Sequence, residues 1–198
     1  MKRLWIALVR FFGWQLELPA RGERPELRRC VFAVAPHTSA WDFVVGAAYL
    51  WSLDTDGHVL IKKEFFRWPL GPILRHLGAI PVDRGNRHNG LVAAATAAFA
   101  GESGKAFSLA ITPEGTRRAT RRWHRGFWEI ARGAGVPIVP AYLDYQHKRI
   151  WLGEALWPTD DYEADLQQVQ SGYRASMARH PEKFVELFKE GVKGSEKE

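Results

Sequence analysis

Cysteine is nearly missing from this sequence: Cys30 is the only one in 198 residues. A lone thiol excludes an internal disulfide and any metal site built from several cysteines, and it fits a reducing, cytosolic setting. Long apolar runs are missing too. The N-terminal stretch MKRLWIALVRFFGWQL comes nearest, but Arg10 cuts it after Val9, and only Phe11, Phe12 and Trp14 resume it. A spanning helix needs about 20 predominantly apolar residues, so this stretch is too short and too interrupted to cross a bilayer. It is also a poor secretory signal, with a charge inside the apolar part and no A-x-A-like cleavage site after it. Several catalytic signatures are absent. There is no G-x-S-x-G nucleophile elbow and no H-E-x-x-H, and the seven histidines are scattered. AGESGKA looks like a phosphate loop, but its first glycine stands too close to the Gly104-Lys105 pair, and Ala106 replaces the magnesium-binding Ser or Thr.

What is present argues for one folded domain. The hydrophobic fraction is 46%, and the apolar segments are periodic. Lys plus Arg exceed Asp plus Glu by 28 − 22 = +6, which favours anionic partners such as nucleic acid, phosphorylated metabolites or an anionic membrane. Nine Trp and eleven Phe suit either a generous core or a layer of lipid headgroups. The basic and aromatic segment 1–20 reads as an amphipathic in-plane membrane anchor, with a helix packed on its own domain as the alternative.

From Cys30 onward, strand and helix patterns alternate. CVFAVA, HVLIK, AIPVD, KAFSLAITP, VPIVPAYLD and KRIWLGE read as strands. Between them AWDFVVGAAYLW reads as a mostly buried helix, and HNGLVAAATAAFAGE as a helix with a small-residue face suited to lying on a sheet. WHRGFWEIARGAG reads as a helix ended by glycines, and residues 160–180 as an amphipathic closing helix. RWPLGPILRHLG is irregular or helical, broken by Pro69 and Pro72. The expected fold is α/β, a mixed and largely parallel sheet flanked by helices. Residues 21–188 form its single domain, and 189–198 a polar tail. Ligands of such sheets sit beyond the carboxyl ends of the strands, which marks the loops holding His37, Arg84 and the segment after Ile111.

On the first of these loops APHTSAWDF places His37 five residues before Asp42. Ser39 and Asp42 have the spacing of a capping box, with Ser39 as the cap. The same spacing permits a dyad, in which Asp42 accepts one imidazole N–H and leaves the other nitrogen as a base. No activated Ser or Cys accompanies it, so the proton would come from a substrate hydroxyl. On the second loop ITPEGTRR has a tight turn at Pro113 and Gly115, where glycine lets the backbone approach a ligand, and Arg117 offers a planar fork for a phosphate. By itself this segment reads equally as an ordinary loop with a solvated arginine.

Together these segments resemble the lysophospholipid acyltransferase family, typified by the 1-acylglycerol-3-phosphate acyltransferases. HTSAWD is similar to the family's His-x-x-x-x-Asp motif, KKEFF at 62–66 to a recurring segment, and GAIPVDR to the second motif with Gly78, Ile80 and Arg84. TPEGTRR is similar to the third motif with Pro113 to Arg117, and VPIVPA at 136–141 to the fourth. The order and spacing agree over residues 30–142. Pro36, Pro81 and Asp83 depart from the usual pattern, and the chain looks like a compact bacterial branch.

The resemblance implies acyl transfer from acyl-CoA or an acyl carrier protein thioester to a lysophospholipid hydroxyl. It makes His37 the general base and Asp42 its orienting partner. Arg84 and Arg117 would bind the acceptor phosphate, Gly115 and Thr116 would shape its pocket, and Lys63 would add positive charge. Glu114 is matched to the motif with two roles open, holding the Arg cluster or binding a hydroxyl. No cofactor or metal is implied beyond the donor thioester. The expected partner surface is the cytoplasmic face of the inner membrane, bound peripherally, with no nucleic acid. Competing readings are a different hydroxylated acceptor, such as a lyso-ornithine lipid or lipid A precursor, and a non-catalytic basic module that binds membrane or RNA.

Overall fold

Alternation along β2 sets the architecture. Val31, Ala33 and Ala35 enter one apolar cluster, and Phe32, with Val34 against it, enters another. Successive strand side chains point to opposite faces, so a strand that is apolar at every position is covered on both sides. The computed structural model describes residues 2–76, 78–82, 89–102 and 104–187. Among these, the strands are β1 (Gln15–Leu16), β2 (Val31–Ala35), β3 (Gly57–Lys62), β4 (Ala79–Val82), β5 (Ser108–Ile111), β6 (Ile138–Asp144) and β7 (Arg149–Leu152). They form one seven-stranded sheet in the order β1-β7-β6-β2-β5-β3-β4. The run from β6 to β4 is parallel throughout, and among the described strands the β6–β7 pairing is antiparallel. This is the mixed, largely parallel sheet expected.

The helices are α1 (Lys2–Phe11), α2 (Trp41–Leu50), α3 (Leu70–His76), α4 (Asn89–Gly101), α5 (Gly126–Ala134) and α6 (Tyr162–Gln170). One core layer joins Phe99 of α4 with Phe127, Ile130 and Ala131 of α5 and Val169 of α6. The other joins Val9 of α1 with Val45, Ala48, Tyr49 and Leu50 of α2. The small-residue face of α4 lies against α5 more closely than the sheet expectation suggested: a Cβ on Gly133 would stand 3.3 Å from Thr96 Oγ1. Gly135 ends α5 in the left-handed conformation, φ 62°, as a glycine cap should.

The closing helix is shorter than its amphipathic pattern suggested. Asp161 caps α6 by accepting from the N–H groups of Glu163 and Ala164, but the helix stops at Gln170. At Gly172 the chain passes so close to Tyr142 that a Cβ would meet its phenol oxygen at 2.2 Å. Tyr173 then turns inward and donates to the Ala33 carbonyl at 2.6 Å. A short 3₁₀ turn at Ala175–Met177 stands where the helix was expected to continue, and a second follows at Pro181–Lys183. Another, Pro25–Arg28, precedes β2.

Helix α1 both packs and projects. Trp5 donates to the Val44 carbonyl at 2.9 Å and meets Trp51 edge-on, while Val9 is buried. Leu4, Leu8, Phe11 and Phe12 point outward, Phe11 with 83% of its surface exposed. No helix among the described residues is long and apolar enough to cross a membrane.

Candidate functional site

The parallel run brings the carboxyl ends of β2, β3, β4, β5 and β6 to one edge of the sheet. His37 leaves β2 there, Glu114 leaves β5 beside it, and Tyr145 follows β6 on its other flank. Sequence reading anticipated the first two loops. It did not anticipate Tyr145, whose only sequence signal is its place just past a strand.

His37 and Asp42 meet as expected. His37 Nδ1 stands 3.1 Å from Asp42 Oδ2. A carboxylate only accepts, so in the neutral ring Nδ1 carries the proton and Nε2 keeps its lone pair. The imidazole is about one-fifth exposed, whereas Asp42 is 3% exposed. Burying a carboxylate is costly unless its oxygens are satisfied, and these are. Oδ2 also accepts from the N–H groups of Thr38 at 2.7 Å and Ser39 at 2.8 Å. Oδ1 accepts from the Tyr145 phenol at 2.8 Å.

The helix cap and the His37–Asp42 hydrogen bond share one structure. Ala40, at the boundary of α2, already has helical dihedrals and makes no side-chain cap. Ser39 does the capping: its Oγ accepts from Trp41 N–H at 3.2 Å while Asp42 reaches back to Ser39 N–H. The capping box thus holds the carboxylate that meets His37.

Glu114 makes a contact that neither of its two open roles describes. Its Oε1 accepts from the backbone N–H of His37 at 2.7 Å, joining the β5 loop to the β2 loop. Only 2% of the residue is exposed. Burial, with the Asp42 charge adding, pushes its carboxyl up to about 8, although the His37 N–H pulls the other way. Near neutral pH it is therefore mostly protonated. The N–H groups of residues 37 to 39 are all committed to Glu114 and Asp42, so donors to a developing oxyanion must come from elsewhere.

The other expected site residues divide. Gly115 adopts φ +63°, but the group pressing on it is protein: a Cβ there would lie 2.6 Å from the His124 ring. The His124 ring is thus the near neighbour that would resist a side chain at this turn. Thr116 Oγ1 accepts from Arg118 N–H at 3.2 Å, closing a small turn. Arg117 is exposed, as are Arg118, Arg121 and Arg122, which makes this loop a cationic rim beside His37. Lys63 is exposed in the short turn after β3, two strands along the same edge from β2, or roughly 10 Å by ordinary strand spacing. Arg84 lies outside the described residues. A cavity of about 420 Å³, lined by Arg28, Lys105, Val136 and Trp157 among others, opens near the starts of β2 and β6, at the opposite edge from the dyad.

Residues 21–144 match the model of the Acyltransferase family, a span that includes the dyad, Glu114 and the whole parallel run of strands. The chain belongs to the acyltransferase family. Its fold is similar to that of the 1-acyl-sn-glycerophosphate (LPA) acyltransferase PlsC from Thermotoga maritima, with a TM-score of 0.60 and 15% identity over 85% of this chain and 73% of that one. A search of curated proteins found no match.

Proposed function

We infer that the protein transfers an acyl group from a thioester, acyl-CoA or acyl carrier protein, to the hydroxyl of a lysophospholipid such as 1-acylglycerol-3-phosphate. The observation that carries this is the His37–Asp42 hydrogen bond at the carboxyl edge of the sheet, inside the segment that matches the acyltransferase family. The likeness to an LPA acyltransferase fold supports the choice of acceptor class.

In this reaction the acceptor hydroxyl gives its proton to His37 Nε2 as its oxygen attacks the thioester carbonyl. The new C–O bond forms, and the carbonyl electrons move to oxygen. Asp42 stabilises the imidazolium that results. Collapse of the tetrahedral intermediate breaks the C–S bond, and the imidazolium returns the proton to the departing thiolate. The ester and the free thiol leave, and His37 is neutral again. General-base assistance of this kind supplies about 10²–10⁴-fold in rate.

Arg117 and Arg84 serve as the cations for the acceptor phosphate, with Thr116 and Gly115 forming the turn that carries Arg117 and Lys63 adding charge along the same edge. The donor thioester is a substrate, and the mechanism uses no further cofactor. Both substrates carry long acyl chains, so the protein works at a membrane surface, peripherally on the cytoplasmic face. The outward Leu4, Leu8 and Phe11 of α1 and Phe12 just after it, flanked by Lys2, Arg3 and Arg10, suit insertion among anionic headgroups. Exposed Phe65, Trp68 and Leu70 add apolar surface around the start of α3.

The test is acyl transfer by the purified protein from a labelled acyl thioester to a panel of lyso-acceptors, beside His37→Ala. Transfer to 1-acylglycerol-3-phosphate by the wild type, with none by the folded variant, is expected. Transfer only to another hydroxylated lipid would replace the acceptor and keep the mechanism. Equal turnover by His37→Ala would remove the base.

A further inference from the structure

The Asp42 carboxylate is held on both oxygens, but only one of them faces His37. Oδ2 takes the imidazole and two backbone N–H groups. Oδ1 takes a side chain from 103 residues further along, the phenol of Tyr145 at 2.8 Å. We propose that Tyr145 is a positioning residue for acyl transfer: its phenol fixes the plane of the Asp42 carboxylate, and through it the tautomer and angle of the His37 ring. The proposal rests on the reading that His37 and Asp42 are the catalytic dyad.

Several contacts show that the phenol is aimed rather than incidental. Tyr145 follows β6, which pairs with β2 and so delivers its residue to the same edge as His37. Its backbone N–H donates to the Met177 carbonyl at 2.8 Å. Its ring meets Trp14 edge-on at 4.9 Å on one side and lies 5.9 Å from the Arg179 guanidinium. Arg179 also lies 5.5 Å from the ring of Trp41, in the first turn of α2. The next residue, His180, donates its N–H to Thr38 Oγ1 at 3.3 Å. The segment after α6 therefore grips both Tyr145 and the loop that carries His37.

The chemistry follows from the donor count. A carboxylate rotates about its last torsion with little resistance. Two backbone N–H groups hold one oxygen, and the phenol holds the other, which leaves Oδ2 in line with Nδ1. Burial and the Asp42 charge raise the Tyr145 phenol well above the ordinary tyrosine range, so it remains a donor at any working pH. Three other titratable or charged groups face this pair: His37 from the β2 loop, Glu114 from the β5 loop and Arg179 from the segment after α6. The phenol's proton is committed to Asp42, so Tyr145 acts through the dyad and not on the substrate.

The experiment is steady-state kinetics of the full-length Tyr145→Phe protein beside wild type and His37→Ala, between about pH 5 and 9. A hydrogen bond to a charged group is worth a factor of about 10 to 100. Tyr145→Phe is therefore expected to lower kcat by about that factor while donor and acceptor KM change by less than about twofold. Losing a donor to the charged carboxylate favours the protonated dyad, so the acid limb of the pH profile moves to higher pH. A ring-fluorinated tyrosine at position 145 has the same shape and is a stronger donor. It keeps the fold and is expected to move the acid limb to lower pH. In an Asp42→Asn background, Tyr145→Phe should cost nothing further, because its partner charge is gone.

Wild-type kcat and an unmoved acid limb in Tyr145→Phe, with His37→Ala inactive, would overturn the role of Tyr145 alone. So would an unmoved limb with the fluorinated residue, or an undiminished loss in the Asp42→Asn background. An active His37→Ala protein would overturn the dyad itself.

Discussion

Glu114 offers a measurement of the site that needs no substrate. Its carboxyl is held near 8 against an ordinary value of 4.5, chiefly by burial. Folded protein therefore keeps a proton that the unfolded chain releases between those two values. Stability from this group is fully present below about pH 4.5 and is lost as pH rises through about 8. Each pH unit within the window costs about 1.36 kcal/mol, which gives about 3 kcal/mol between pH 5 and 8 once partial ionisation at each end is counted. Glu114→Gln keeps an oxygen for the His37 N–H but cannot ionise, so it lacks this slope. The assay is urea unfolding of both proteins across the window. Taking their difference cancels every other titrating group. The variant is expected to gain about 3 kcal/mol on the wild type from pH 5 to 8, a large part of the stability of an ordinary domain. Parallel curves would refute the reasoning, since they would mean the carboxyl ionises as it does in water. Acyl transfer by Glu114→Gln should stay close to wild type, because the neutral form already makes the bond that matters.

Two further substitutions test the surfaces around the dyad. Arg117→Ala removes an exposed guanidinium that is assigned to the acceptor phosphate, and is expected to raise the acceptor KM by about 10-fold or more with little change in kcat; unchanged acceptor kinetics would refute the assignment. Phe11→Ser with Phe12→Ser alters only the outward side of α1 and leaves Trp5 and Val9 docked, so melting should hardly change. Partitioning onto anionic vesicles, measured by sedimentation, should fall by about 10²–10⁴-fold, from about 1.5–3 kcal/mol for each of the two buried rings; retained binding would place the membrane contact elsewhere.

Contacts between near neighbours in the chain are legible in its sequence, and contacts between distant residues are not. His37, Ser39 and Asp42 were legible because their contacts span five residues or fewer, within one strand-to-helix turn. The strand and helix alternation was legible because burial on two faces writes long apolar segments. The closing helix was read too long because its amphipathic pattern continues past Gln170, while the close approach of Gly172 to Tyr142 leaves no trace in that pattern. Gly115 is legible as a special backbone position, but the His124 ring against it is not, since His124 reaches it by the fold of the loop. Glu114 could be matched to a motif, yet its partner could not be read.

The amino-acid sequence by itself determined a His37–Asp42 pair at a capped helix start, an alternating α/β chain, and a basic, aromatic N-terminal helix. Local spacing and periodicity suffice for these, because the forces involved act between near neighbours. Only the tertiary structure decided that β5 and β6 flank β2, and with that order came the Glu114 bond to His37 and the Tyr145 bond to Asp42. Strand order depends on the packing of both faces at once, and hydrogen bonds across it join residues whose separation in the chain says nothing of their separation in space.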